Sequence, residues 1–171
     1  MNPENRVMIA MSGGVDSSVA AYLMKSQGYD CTGATLKLYS NEDIQLDRNK
    51  TCCSLSDVED ARSVANRLGM PYFVFNFSDN FKEKVIGRFI DTYKSGGTPN
   101  PCIDCNRYIK FNQLLTRAGL MECGHIATGH YARVEFDKER GRWLLKRAAD
   151  TRKDQTYVLW ALTQTELAHT F

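Results

Sequence analysis

The 171 residues carry 22 lysines and arginines against 20 aspartates and glutamates, a net charge of +2, together with six cysteines and 43% hydrophobic residues. That length buries one substantial core and argues for one domain, and a charge so near neutrality excludes any inference of nucleic-acid binding from the total alone. The N-terminal apolar run is about six residues where a membrane span takes about twenty, so the chain reads as cytoplasmic with no membrane partner, and its cysteines point to thiol chemistry or metal ligation more than to disulfides.

Arg6 to Met11 is the first apolar run and reads as a buried strand. Ser12-Gly13-Gly14-Val15-Asp16-Ser17-Ser18 follows, and Val19, Ala20, Leu23 and Met24 then recur at helical spacing up to Gly28. A glycine-rich turn between strand and helix lets successive backbone N–H groups converge on one point, where the helix N-terminus adds about half a positive charge. A phosphate chain suits such a place. The glycines allow close approach, Ser12, Ser17 and Ser18 offer hydroxyls, and Asp16 can orient a loop amide or a metal ion. The turn lacks the lysine of the GxxxxGK[ST] loop, so pyrophosphate is expected to be held as a leaving group, with chemistry at the α-phosphorus.

A strand is expected from Cys31 to Tyr39, then a polar loop over 40–50, and a second helix with Ser54 and Asp57 as capping pair and Val58, Ala61, Val64, Ala65 and Leu68 as its apolar face. Tyr72 to Phe77 reads as a strand. Phe81, Val85, Phe89, Ile90 and Tyr93 mark a third helix that ends before Gly96-Gly97, and a fourth is expected around Arg107 to Arg117 before a strand from Gly124 to Thr128. The alternation predicts an α/β fold, a doubly wound parallel sheet with helices on both faces. Ligands of such sheets sit at the carboxyl ends of the strands, so the glycine-rich turn, Thr35 to Lys37 and Gly129-His130 should face one crevice. Tyr131 to Phe136 and Trp143 to Arg147 flank a turn over 137–142 and predict a hairpin, and Thr163 with Glu166 is a capping box that opens a last helix. Residues 1–150 form the expected catalytic domain and 151–171 the start of a following region. Arg133, Lys138, Arg140, Arg142, Lys146, Arg147, Arg152 and Lys153 crowd the last fifth of the chain, either as a solvated hairpin surface or as a contact for an RNA backbone.

The glycine-rich turn resembles the PP-loop of the ATP pyrophosphatase superfamily. Thr98-Pro99-Asn100-Pro101, Cys105-Asn106, Ile109-Lys110-Phe111, Ala127-Thr128-Gly129-His130-Tyr131 and Lys153-Asp154-Gln155-Thr156-Tyr157 narrow this, in order and along nearly the whole chain, to a likeness to the tRNA-specific 2-thiouridylase family. The resemblance implies an adenine nucleotide alpha hydrolase-like fold and ATP-dependent 2-thiolation of the wobble uridine: uracil O2 attacks the α-phosphorus of ATP, pyrophosphate departs, and a sulfur nucleophile displaces AMP from C2. It implies ATP contacts at Ala10, Met11, Ser12, Gly13, Gly14, Val15, Asp16, Ser17, Leu36 and Gly129, and magnesium to shield the triphosphate. Contacts with tRNA are implied for Asn100, Pro101, Cys102, His130, Lys153, Asp154 and Gln155, and a persulfide carrier or cysteine desulfurase system as sulfur donor. An anticodon-loop base fits such chemistry, because an unstacked base can be splayed out and read on its edges. The likeness covers about the N-terminal half of the family's full length, so its later domains and second catalytic cysteine are expected to be missing and the isolated chain to fail at thiolation. The competing readings are a nucleotide-binding piece without turnover and another adenylating PP-loop synthetase.

Cys105 matches the family's first catalytic cysteine. It is expected in a shaped loop just ahead of a helix, where Arg107, Lys110 and the helix N-terminus favour the thiolate. Cys102 stands where the familiar pattern carries aspartate, PNPCIDCN in place of PNPDxxCN, and creates a Cys-x-x-Cys pair. Two readings stay open: a redox or persulfide-relay pair, or two thiolate ligands of an iron-sulfur cluster of the [4Fe-4S] kind. Zinc held by Cys52, Cys53, Cys102 and Cys105 suits the count but not the spacing. Cys31 and Cys123 read as packing residues.

Overall fold

In the computed structural model, residues 3–39 and 55–171 are described, Leu55 by its backbone alone. The central strand β1 (Arg6–Ala10) pairs in parallel with β2 (Asp30–Lys37) on one side and β4 (His125–Ala127) on the other, and β3 (Tyr72–Asn76) extends the sheet beyond β2. A parallel strand covered on both faces needs apolar residues at every position, and Val7, Met8 and Ile9 are all fully buried. Their period of two divides them. Met8 joins Val85, Ile109, Phe111 and Leu114 on one face, whereas Val7 and Ile9 join Ala21, Met24, Ala61 and Ala65 on the other. The sheet is therefore doubly wound, as the alternation of elements predicts.

Helices α1 (Val15–Ser26) and α2 (Leu55–Arg67) cover the Val7 face. The expected capping residue Ser54, the polar loop over 40–50, Cys52 and Cys53 lie outside the described residues. On the Met8 face the third helix consists of α3 (Ser78–Phe81), a π-wound stretch Lys82–Gly87, and α4 (Arg88–Lys94).

The fourth helix corrects the sequence reading. It opens six residues earlier than Arg107, as α5 (Pro101–Cys105), runs through a π-wound stretch Asn106–Gln113 and ends as α6 (Leu114–Leu120). Asn100 is its N-cap, its side-chain oxygen accepting from the Cys102 N–H at 3.1 Å, and Pro101 takes the first helical position, where a missing N–H costs nothing. Cys102 and Cys105 are thus helical residues and not part of a loop ahead of a helix.

Strands β5 (Ala132–Asp137) and β6 (Arg142–Arg147) form the predicted antiparallel hairpin, with Phe136 opposite Trp143. The capping box holds: the Glu166 carboxylate accepts from the Thr163 N–H at 2.7 Å at the start of α7 (Gln164–Ala168). Residues 151–171 fold back on the sheet, with Val158 and Leu159 in the Met8 core and Thr170 bridged to Ile126. Among the described residues no helix is long and apolar enough to cross a membrane.

Candidate functional site

Beyond β1 the chain stays tied to β2 as it turns. The Met11 N–H donates to the Ala34 carbonyl at 2.8 Å, and the Thr35 hydroxyl donates to the Met11 carbonyl at 2.6 Å. Gly13 has φ +82°, and a Cβ there would lie 2.8 Å from the Asp57 Cα and collide with its carbonyl oxygen. Glycine is required on both counts, so that the turn can lie against α2. Gly14 is different: its φ is −78°, and an added Cβ would meet only the Ser12 Oγ, at 3.4 Å.

The serines divide as well. Ser17, 5% exposed, donates to the Gly14 carbonyl at 3.0 Å and accepts from the Ser12 N–H at 3.2 Å, and Ser18 donates to the same carbonyl at 2.9 Å. These two hydroxyls close the loop on itself. Of the three serines expected to face phosphate, Ser12 is the exposed one.

Above the carboxyl ends of β1, β2 and β4 the structure opens a cavity of about 210 Å³. Ala10, Met11, Ser12, Asp16 and Ser17 form one wall, and Ala34, Leu36 and Leu38 from β2 and the residue beyond it form a second. Thr128, Gly129 and His130 follow from the end of β4, with Lys110 from the π-wound stretch and Gln155 from the C-terminal segment. The parallel register produces this convergence, since it aligns the ends of strands far apart in sequence.

Gly129 is pressed against the start of α1. A Cβ on it would lie 2.7 Å from the Ser17 N, 2.8 Å from the Asp16 carbonyl carbon and 3.0 Å from its oxygen. Its lack of a side chain thus serves contact with the loop backbone itself. Tyr131 adds a second tie, its hydroxyl donating to Asp16 Oδ1 at 2.9 Å, while its backbone N–H donates to Gln155 Oε1 at 2.9 Å and its ring lies 5.0 Å from the Lys153 ammonium. His130 has Nδ1 2.8 Å from the Thr128 hydroxyl and packs its ring on Phe111 with centroids 6.0 Å apart. Burial, and after it the charge of Lys110, pushes the His130 pKa down to about 4. A neutral imidazole and an ammonium therefore share the wall at neutral pH.

Of the residues expected to contact ATP, Ala10, Met11, Ser12, Asp16, Ser17, Leu36 and Gly129 line the cavity, whereas Gly13, Gly14 and Val15 do not. Val15, 77% exposed, opens α1 with its side chain in solvent. Of those expected to contact tRNA, His130 and Gln155 line the cavity; Asn100, Pro101, Cys102, Lys153 and Asp154 stand outside it. The Asp154 carboxylate is turned inward, accepting from the Ala148 N–H at 2.8 Å and the Thr156 hydroxyl at 2.5 Å, and both contacts hold its pKa below the usual carboxylate range. Lys110 is expected from sequence only as a cation near Cys105, and Thr128 and Tyr131 only as members of a family motif; none of the three is expected as a residue of the site. The signal for Lys110 was a cation set between the core residues Ile109 and Phe111.

Cys102 is exposed and Cys105 is 9% exposed, three residues apart on one helical run. Side chains at that spacing are neighbours, about 5–6 Å apart at Cβ. A [4Fe-4S] cluster takes three or four thiolates, and among the described residues no group of three metal-ligating side chains forms, so the described residues alone do not fit it. Among the described residues Asp16 is the carboxylate of the cavity wall, and it is the side chain there that would hold a magnesium ion together with the oxygens of a bound phosphate. Cys31 and Cys123 are buried, and burial raises both thiol pKa values.

A family model described as tRNA methyl transferase HUP domain matches residues 5–171. The chain is 58% identical over 170 residues to tRNA-specific 2-thiouridylase MnmA 1 of Thermoanaerobacter pseudethanolicus, covering 99% of this chain and 47% of that protein. It is 56% identical over 165 residues to tRNA-specific 2-thiouridylase MnmA of Clostridioides difficile, covering 96% and 45%. The chain thus spans about half the length of the curated relatives it matches. Among solved structures it aligns with the U34-tRNA thiolase NcsA from Methanococcus maripaludis with its [4Fe-4S] cluster, at TM-score 0.47 and 25% identity, over 73% of this chain and 37% of that one.

Proposed function

Since the chain belongs to the tRNA methyl transferase HUP domain family, we propose that its cavity binds ATP and activates a tRNA uridine for 2-thiolation. The observation that carries this reading is the meeting of the Ser12–Ser17 turn, Gly129-His130, Lys110 and Gln155 around one cavity at the carboxyl ends of the strands. The relatives named as tRNA-specific 2-thiouridylases support the substrate and the sulfur transfer.

In this reading the loop amides and the N-terminus of α1 hold the pyrophosphate end of ATP. Magnesium, held by Asp16 and phosphate oxygens, neutralises charge when bound. Uracil O2 forms a bond to the α-phosphorus as the bond to the β-phosphate oxygen breaks, and pyrophosphate leaves with the electron pair. His130, neutral at working pH, faces the base without adding charge, and Gln155 lies on the same side. A sulfur nucleophile then adds at C2 and AMP leaves with the C2–O bond pair. Cys105 carries that sulfur as the outer atom of a persulfide. Once it is bound to C2, the Cys102 thiolate attacks Cys105 Sγ, the S–S bond to the transferred sulfur breaks with its electron pair on that sulfur, and the Cys102–Cys105 disulfide left behind is reduced by an external thiol. Residues 151–171 begin the region that meets tRNA, with Lys153 beside the Tyr131 ring at its entrance. A persulfide carrier or cysteine desulfurase supplies the sulfur.

The test is to incubate the protein with ATP, magnesium, undermodified tRNA and a persulfide donor, and to follow pyrophosphate release and 2-thiouridine separately. Pyrophosphate release that depends on tRNA supports adenylation. 2-Thiouridine formed by these 171 residues and lost in Cys105→Ser or Cys102→Ser supports the relay, whereas pyrophosphate release with no 2-thiouridine is the failure expected where the family's second cysteine is missing and shows that Cys102 does not replace it. Pyrophosphate release that responds to a small acid or free nucleotide but not to tRNA would identify a different adenylating synthetase.

A further inference from the structure

The glycine-rich turn supplies backbone N–H groups and hydroxyls but no cation, although a nucleoside triphosphate brings several negative charges into the cavity. Among the described residues, Lys110 is the one lysine or arginine of the cavity wall. It comes from the π-wound stretch Asn106–Gln113, about ninety residues after the turn, and it is half-buried between Ile109 and Phe111, 0% and 1% exposed, which anchor that stretch in the core. Among the described residues Asp16 is the carboxylate of the same wall, and its Oδ1 already accepts from Tyr131. Among the described residues the wall therefore carries one lysine, close enough to His130 for its charge to act on the imidazole.

We propose that Lys110 is a phosphate-binding residue of the site, its ammonium meeting the α-phosphoryl group of the nucleotide between the glycine-rich turn and the His130–Gln155 side of the cavity. A lysine is a compact point charge with three donors on a flexible stem and suits the non-bridging oxygens of a tetrahedral phosphoryl group. If the turn and the N-terminus of α1 take the pyrophosphate end, the α-phosphoryl group falls to the residues supplied by other elements, Lys110 among them beside His130. The influence of its charge on the His130 imidazole is a second sign that the ammonium points into this space. The inference rests on the nucleotide reading of the cavity and deepens it: the cation missing from the loop is delivered by a different element.

The experiment compares wild type, Lys110→Met and Lys110→Arg by calorimetry with ATP, AMP and pyrophosphate, each alone. Lys110→Met should weaken both ATP and AMP by about 10- to 100-fold, the span expected for one charge-assisted hydrogen bond, and leave pyrophosphate unchanged. Lys110→Arg should recover most of the loss. In parallel, NMR titration of the His130 ring in the free protein should show its pKa rise in Lys110→Met and stay low in Lys110→Arg, which also shows that both variants are folded. Equal ATP affinity in wild type and Lys110→Met overturns the proposal while the nucleotide reading stands. A loss for pyrophosphate as large as that for AMP refutes the α-phosphoryl assignment. Wild type that binds none of the three overturns the nucleotide reading, and the proposal with it.

Discussion

Replacing Gly129 by alanine tests whether the turn after β4 and the start of α1 form one rigid unit. The new Cβ would sit 2.7 Å from the Ser17 N, 2.8 Å from the Asp16 carbonyl carbon and 3.0 Å from its oxygen. All three are backbone atoms, so no side-chain rotation relieves the overlap. Overpacking of this kind costs about 1–3 kcal/mol, and a domain of this size loses about 2–4 °C in Tm per kcal/mol, so a drop of roughly 2–12 °C is expected. The overlap can be relieved only by parting the Thr128–His130 turn from the Asp16–Ser17 backbone, which widens the cavity where phosphate is expected. ATP affinity should therefore fall about tenfold or more, the effect of losing one or two well-placed donors. Differential scanning calorimetry gives the first number and titration calorimetry the second. Gly119→Ala is the control: it lies in α6 with nothing within 4 Å of an added Cβ, and it should stabilise by about 0.5–1 kcal/mol. A Gly129→Ala protein with wild-type Tm and ATP affinity would refute the close approach on which the site geometry depends.

His130 stays neutral to about pH 4, whereas an unperturbed imidazole titrates at 6.5, so the unfolded chain takes up a proton that the folded one does not between those values. Stability should thus be lost as pH falls from about 6.5 to about 4, on the order of 3 kcal/mol in all, and His130→Asn should remove that part of the slope in urea melts at pH 7 and 4.5. Alkylation at pH 8 with mass-spectrometric mapping should modify exposed Cys102 readily, and Cys31 and Cys123 only on unfolding, because both are buried with raised pKa values; labelling of either at the rate of Cys102 would contradict the packing. Asn100→Ala removes the acceptor for the Cys102 N–H and should cost about 1 kcal/mol, with Asn100→Ser restoring most of it. If stability is unchanged and only tRNA affinity falls, Asn100 acts through RNA and not as a cap.

Much of the fold is written locally. The unbroken apolar run Val7-Met8-Ile9 specifies a strand covered on both faces, Thr163 with Glu166 specifies a helix start, and the apolar stretches around 137–142 specify a hairpin. Each depends on neighbours a few residues apart, so composition and spacing suffice. The start of the fourth helix was legible too, in Asn100-Pro101, but the cysteine pair that follows drew the reading toward a loop. The motifs of the turn and of Gly129-His130 marked most of the cavity wall, because strand order and the parallel register bring those strand ends together.

Only the tertiary structure decided how the side chains are spent. Ser17 and Ser18 donate to the Gly14 carbonyl three and four residues back, and Asp154 accepts from Ala148 and Thr156; these bonds are short in sequence, but that each side chain makes them in place of facing a ligand shows only in the folded chain. Gly13 owes its necessity to α2, Gly129 to α1, and Asp16 its tyrosine partner to a residue 115 positions away. From sequence Lys110 is a cation a few residues after Cys105; in the fold it lies on the π-wound stretch between buried Ile109 and Phe111 and lines the cavity. Local pattern determines which elements form, since hydrogen bonding and periodicity act within a few residues. Which polar atoms meet is determined by packing between elements, where steric fit and burial act across the whole chain.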